Sequence, residues 1–88
     1  MMAGEYIRFE VLEAPGPKRK TPVYGVFVKD TGPGATPLGE IRWWGAWRCF
    51  TFWPAPNTIY ERQCLLDIIK FIDALMADRK QGVPYPLT

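Results

Sequence analysis

The sequence predicts an α+β fold: a four-stranded, largely antiparallel sheet followed by one C-terminal helix packed on one face, in the order ββββα. Three observations carry that expectation. Period-two alternation and β-branched or aromatic runs recur through residues 5–53, Pro- and Gly-rich stretches separate them, and sustained three-and-four spacing of apolar residues comes only afterwards, at 58–79. The 88 residues are read as a single domain spanning 1–88, because so short a chain buries only about 60–65% of its unfolded surface and cannot divide it between two cores. Four Trp, four Tyr and five Phe must supply much of that burial, each hiding about 150–250 Å².

The first strand is expected at about 5–12, where Tyr6-Ile7-Arg8-Phe9-Glu10-Val11 alternates so that Ile7, Phe9 and Val11 share a buried face. Residues 14–22, with Pro15, Gly16, Pro17 and Pro22 around Lys18, Arg19 and Lys20, cannot continue a ladder, since proline lacks the donor. A second strand follows at 23–29, rich in valine and aromatics. The connection over 30–37 holds Gly32, Pro33 and Gly34 but has neither a G-K-[ST] sequence nor a helix after it, so it does not read as a phosphate-cradling loop.

Strands at 38–42 and 46–53 stand so close that a hairpin must join them. A two-residue loop of Trp44 and Gly45 would require positive φ at a bulky Trp44, whereas a three-residue loop of Trp43, Trp44 and Gly45 requires it only at glycine. The three-residue loop places Arg42 opposite Ala46, Ile41 opposite Trp47 and Glu40 opposite Arg48, the last a cross-strand ion pair. Ile41, Trp47, Cys49, Thr51 and Trp53 then face the helix. Leu38, Glu40, Arg42, Arg48, Phe50 and Phe52 line the other face, with Trp43 and Trp44 at the tip; a register slip of one would instead expose Trp47 and Trp53.

Pro54 and Pro56 end the sheet, and Thr58 with Glu61 has the spacing of a capping box, so the helix is expected from 58 to 79. Leu65, Ile68, Ile69, Ile72, Leu75 and Met76 form its apolar stripe, widened by Cys64, Leu66 and Phe71, while Gln63, Asp67, Lys70 and Asp73 form a narrow wet strip. Gly82 and then Pro84 stop it. Residues 82–88 are an extended tail.

Composition excludes more chemistry than it suggests. The chain has no histidine and no serine, which removes Ser-His and Cys-His nucleophiles, a histidine base and His-containing zinc sites. Cys49 and Cys64 sit in different elements without C-x-x-C spacing and read as two buried reduced thiols, with one structural disulfide as the alternative. The acidic residues form no constellation, so the expected protein is not an enzyme and uses no cofactor or metal. No basic segment precedes a long apolar run, and no stretch reaches the roughly 18 apolar residues of a membrane span, so a cytosolic address and no membrane are expected. A net charge of +2 permits a phosphate-bearing or acidic partner without requiring one.

Leu38-Gly39-x-Ile41-x-Trp43, Trp47-Arg48, Phe50, Phe52, Pro54, Thr58, Tyr60, Cys64-Leu65, Asp67-Ile68 and Phe71-Ile72 form a pattern that resembles small uncharacterised proteins of bacteriophages and prophages. The resemblance covers about the last 40 residues before the tail, behind a variable strand pair. It implies a phage-related accessory protein, acting in the host cytoplasm if phage-encoded, and brings no activity or site residue with it.

Geometry supplies the functional expectation. One helix, about 10–12 Å across, covers one side of a four-stranded sheet and leaves the other open. Under the preferred register that open face and its tip present Arg42, Trp43, Trp44, Arg48, Phe50 and Phe52, read as a surface for a host or phage protein or for a second copy of the chain as a homodimer. The alternative is nucleic-acid or nucleotide binding, with rings stacking on bases and Lys18, Arg19 and Lys20 meeting phosphates.

Overall fold

Four strands run as an antiparallel meander in the order β1-β2-β3-β4: β1 (Ile7–Glu13), β2 (Val23–Val28), β3 (Gly39–Trp44) and β4 (Cys49–Pro54), followed by the helix α1 (Arg62–Gln81). The structure, a computed structural model, describes residues 3–87. Met1, Met2 and Thr88, which the sequence reading includes in the domain and its tail, lie outside the described residues. The predicted α+β architecture is the observed one.

The β3–β4 hairpin differs from expectation in register. Trp44 pairs with Cys49, Trp43 with Phe50, Arg42 with Thr51 and Ile41 with Phe52, which leaves Gly45, Ala46, Trp47 and Arg48 as a four-residue loop. The amides of Trp47 and Arg48 donate to the carbonyls of Trp44 and Gly45, and Arg48, not Gly45, takes the positive φ of 54°. A left-handed arginine costs about 1–2 kcal/mol. The register it permits buries Phe50, worth about 1.5–3 kcal/mol for a fully hidden phenylalanine, and packs Phe52 beside it. Packing therefore outweighs turn preference.

That register turns the predicted faces of β4 over, while Ile41, Glu40 and Arg42 of β3 keep theirs. Phe50 and Phe52, expected on the open face, lie on the helix side, and Trp53, expected beneath the helix, faces out. The core joins Ile7, Phe9, Tyr24, Val26, Ile41 and Phe50 from the sheet to Ile68, Phe71 and Leu75 from α1. Phe71 stacks on Phe9 at 4.1 Å between ring centroids and meets Tyr24 edge-on at 4.9 Å. At Gly39 an added Cβ would come within 2.7 Å of the Phe52 ring and of the Trp53 carbonyl, so glycine is what lets β4 close against β3.

The helix starts later than the capping-box reading predicts. Glu61 is the N-cap and its carboxylate accepts from the Cys64 amide at 2.6 Å, while the Thr58 hydroxyl donates to the Ala55 carbonyl inside the preceding turn. Amides of Gln63 and Cys64 hold the Glu61 carboxyl below the usual carboxylate range. At the far end Gly82, with φ of 73°, closes the helix as the sequence predicts; the amides of Gly82 and Val83 donate to the carbonyls of Arg79 and Asp78.

Two helix positions reverse their expected roles. Asp67, assigned to the wet strip, is buried because it accepts from the Glu5 amide at 3.0 Å and from Gln63 at 2.9 Å, pinning the segment before β1. Leu65 and Ile69, assigned to the apolar stripe, are exposed. The tail returns to the body: Tyr85 packs edge-on against Phe50, and Tyr24 donates to the Pro86 carbonyl at 2.7 Å. Burial there pushes the Tyr24 phenol far above its ordinary range.

Candidate functional site

Pairing of the four strands puts Arg8, Glu10, Phe27, Glu40, Arg42, Trp44, Thr51 and Trp53 on the face opposite α1. The two halves of that face are treated differently. Over β1 and β2, the Arg8 guanidinium lies 4.9 Å from the centroid of Phe27 and donates to Thr31 Oγ1 at 2.8 Å and to the Val28 carbonyl. Residues 31–35 border the same hollow, and Phe27 is only 7% exposed.

Over β3 and β4 no such roof exists among the described residues. Trp44 is 40% exposed, Trp53 44% and the loop residue Trp47 73%. Trp44 joins them: its ring lies 5.6 Å from Trp53 and 6.4 Å from Trp47. With Thr51 and Phe52 the three indoles line an open hollow of about 250 Å³. Trp53 Nε1 donates to Thr51 Oγ1 at 2.8 Å and Thr51 donates to the Arg42 carbonyl at 3.0 Å, so the Trp53 ring is held in place rather than free to rotate. Beside the indoles, Arg42 approaches Glu40 at 3.7 Å and Glu13 at 3.9 Å, and Glu13 approaches Arg19 at 3.6 Å. Exposed pairs of this kind contribute about 0–1 kcal/mol each. The predicted Glu40–Arg48 pair does not form in this register, since Glu40 pairs across the strands with Trp53.

Of the six residues expected at the partner surface, Arg42 and Trp44 lie on the open face and Arg48 in its bordering loop. Trp43, Phe50 and Phe52 do not: they pack on the helix side. Trp47 and Trp53, assigned to the core in the preferred register, take their places: Ile41 pairs with Phe52 rather than Trp47, a shift of five residues whose odd parity exposes the same rings as the one-residue slip weighed from the sequence. Lys18, Arg19 and Lys20 lie together beside Thr21, Trp43 and Arg79, around an open cleft of about 420 Å³. Arg79 is the member sequence reasoning missed, because only the fold brings the last turn of α1 to the β1–β2 loop.

Cys49 and Cys64 are both free and half-buried, not fully buried as expected, and burial pushes the Cys64 thiol above its ordinary value. Among the described residues no three His, Cys, Asp or Glu side chains are grouped to hold a metal ion, and no helix is long and apolar enough to cross a membrane.

Comparison with known proteins adds a relative. The chain is 39% identical over 77 residues to a protein of Acholeplasma phage L2 named "Uncharacterized 9.3 kDa protein", covering 88% of this chain and 92% of the relative. The chain belongs to the family of this phage protein. The similarity is too long to be confined to the segment after Leu38, so it takes in part of the first strand pair as well. No family model and no solved structure matches this phage-type chain.

Proposed function

We propose that this member of a small phage protein family is a non-enzymatic accessory protein that works as a protein-interaction module, docking through Trp44, Trp47 and Trp53 with a second copy of itself. The carrying observation is the contiguity of three exposed indoles, one of them locked through Thr51, beside a roofed half of the same face. Exposed tryptophan gains little from water, and Trp and Arg dominate the energetic centres of protein interfaces. Arg42 and Arg48 border the patch.

Two features support a second copy as occupant. β4 is an edge strand, and among the described residues its outer backbone groups pair with no other segment. The open face beside that edge carries both Glu40 and Arg42, so it offers each sign of charge to a copy of itself, the self-complementarity an isologous contact needs.

Light scattering of the purified protein tests the proposal. Wild type is expected to form a dimer, and Trp53→Glu or Trp47→Glu a monomer with unchanged helical circular dichroism. A wild-type monomer at high concentration counts against self-association. Phe50→Glu is unsuitable as a probe because it would place a charge in the core.

A further inference from the structure

The basic cleft shares no lining residue with the indole hollow, touching its border only through Glu13 between Arg19 and Arg42, and needs its own account. Its wall is the β1–β2 loop, which folds as a miniature hairpin: the Gly16 amide donates to the Arg19 carbonyl at 2.6 Å and the Arg19 amide donates back to Gly16 at 3.1 Å, with Pro17 and Lys18 at the tip. This closure sets Lys18, Arg19 and Lys20 in one cluster facing the end of α1. Opposite them Arg79 is fixed at two points: its guanidinium carbon lies 4.1 Å from the centroid of Trp43, and Nη1 lies 3.4 Å from Tyr85 Oη. Trp43 is itself wedged edge-on against Phe50 at 5.4 Å, so the platform beneath Arg79 belongs to the core.

Four cations thus converge on one open cleft of about 420 Å³, with Thr21 also on its lining. Among the described residues Arg19 meets a carboxylate, Glu13 at 3.6 Å, whereas Lys18, Lys20 and Arg79 meet none within 4.0 Å. Arg79 has a bland reason to sit where it does, since a cation in the last turn favours the negative end of the helix dipole. That reason does not extend to the three loop cations, whose mutual repulsion an anion would relieve. Arg79 Cζ lies over the Trp43 ring and Nη1 is directed to Tyr85, while the residue is exposed, leaving its remaining N–H groups for a ligand. A planar guanidinium so held matches phosphate oxygens two at a time and can stack on a base.

We infer that this cleft binds the phosphates of a nucleotide, either free or as part of a single strand, with Lys18, Lys20 and Arg79 as the phosphate contacts and Trp43 as the residue that positions Arg79. This site is separate from the proposed docking surface.

Isothermal titration with pyrophosphate, ATP and a single-stranded oligothymidylate, at several salt concentrations, tests it. Wild type is expected to bind at least one probe saturably. Lys18→Ala with Lys20→Ala, and separately Arg79→Ala, should each weaken binding about tenfold or more, the loss of one charge-assisted contact or better. Arg79→Lys should recover only part, because an ammonium lacks the planar fork. Trp53→Glu should bind as wild type, which separates failure here from failure of the dimer. Pyrophosphate and ATP binding alike without the oligonucleotide would assign free phosphates. Tighter oligonucleotide binding, with log K falling against log salt by about 0.7 per phosphate neutralised, would assign the strand. Absence of binding for all three probes to folded wild type, or binding that the Lys18/Lys20 and Arg79 variants leave unchanged, overturns the inference.

Discussion

Phe27 and Trp53 are large aromatics on the same face of the same sheet, and the chain treats them in opposite ways. Arg8, tied to Thr31 and to the Val28 carbonyl, is laid across Phe27, residues 31–35 border the same hollow, and the ring is 7% exposed. Trp53 shares its surroundings with two further indoles and remains 44% exposed. The chain therefore has a device for roofing an aromatic on the side the helix cannot reach, and uses it over one strand pair only. An exposed ring is not the automatic result of having a single helix. The bare half stands out by contrast with its neighbour.

Truncation is the strongest way to sharpen that contrast. Phe27→Ala should cost about 3 kcal/mol in urea unfolding, near the range of buried phenylalanine truncations, whereas Trp53→Ala in dilute monomer should cost only about 0.5–1 kcal/mol. Equal costs would mean that the indoles pack as tightly as the roofed ring. Next in size is Arg8→Ala, which removes the roof while leaving Phe27: about 1 kcal/mol, since the lost contacts are partly solvent-exposed, accompanied by increased binding of a hydrophobic dye. Unchanged dye binding would show that residues 31–35 suffice alone.

Glu61→Gln is the smallest, and lies outside both halves. The native carboxyl is held below its unfolded value of about 4.3, so its contribution is present above that pH and fades as pH falls through the lowered folded value. The melting temperature of Glu61→Gln should therefore fall below that of wild type at neutral pH, with the gap closing under acid. A gap independent of pH would remove the carboxylate from the explanation.

Much of the fold was legible because local signals agreed with one another. Alternation at Ile7, Phe9 and Val11, the proline and glycine breaks, and Gly82 as a helix stop each rest on neighbours in sequence. The candidate site was less legible, because it turns on one parity. Choosing Gly45 as the left-handed residue is sound for an isolated hairpin; burial of Phe50 beneath a helix more than ten residues away made Arg48 take that role and reversed both faces of β4. Asp67 misled for a similar reason, since its partners at Glu5 and Gln63 include a backbone amide from the opposite end of the chain. Arg79 beside Lys18 and Lys20 is likewise a product of tertiary contact, with no trace in local spacing.

The four indole N–H resonances, followed by nuclear magnetic resonance as protein concentration is raised, address the docking surface most directly. Trp44, Trp47 and Trp53 are expected to shift together with a common midpoint while Trp43, packed beneath Arg79, stays in place. Four resonances that hold their positions across the whole range in a monomeric protein would contradict the account.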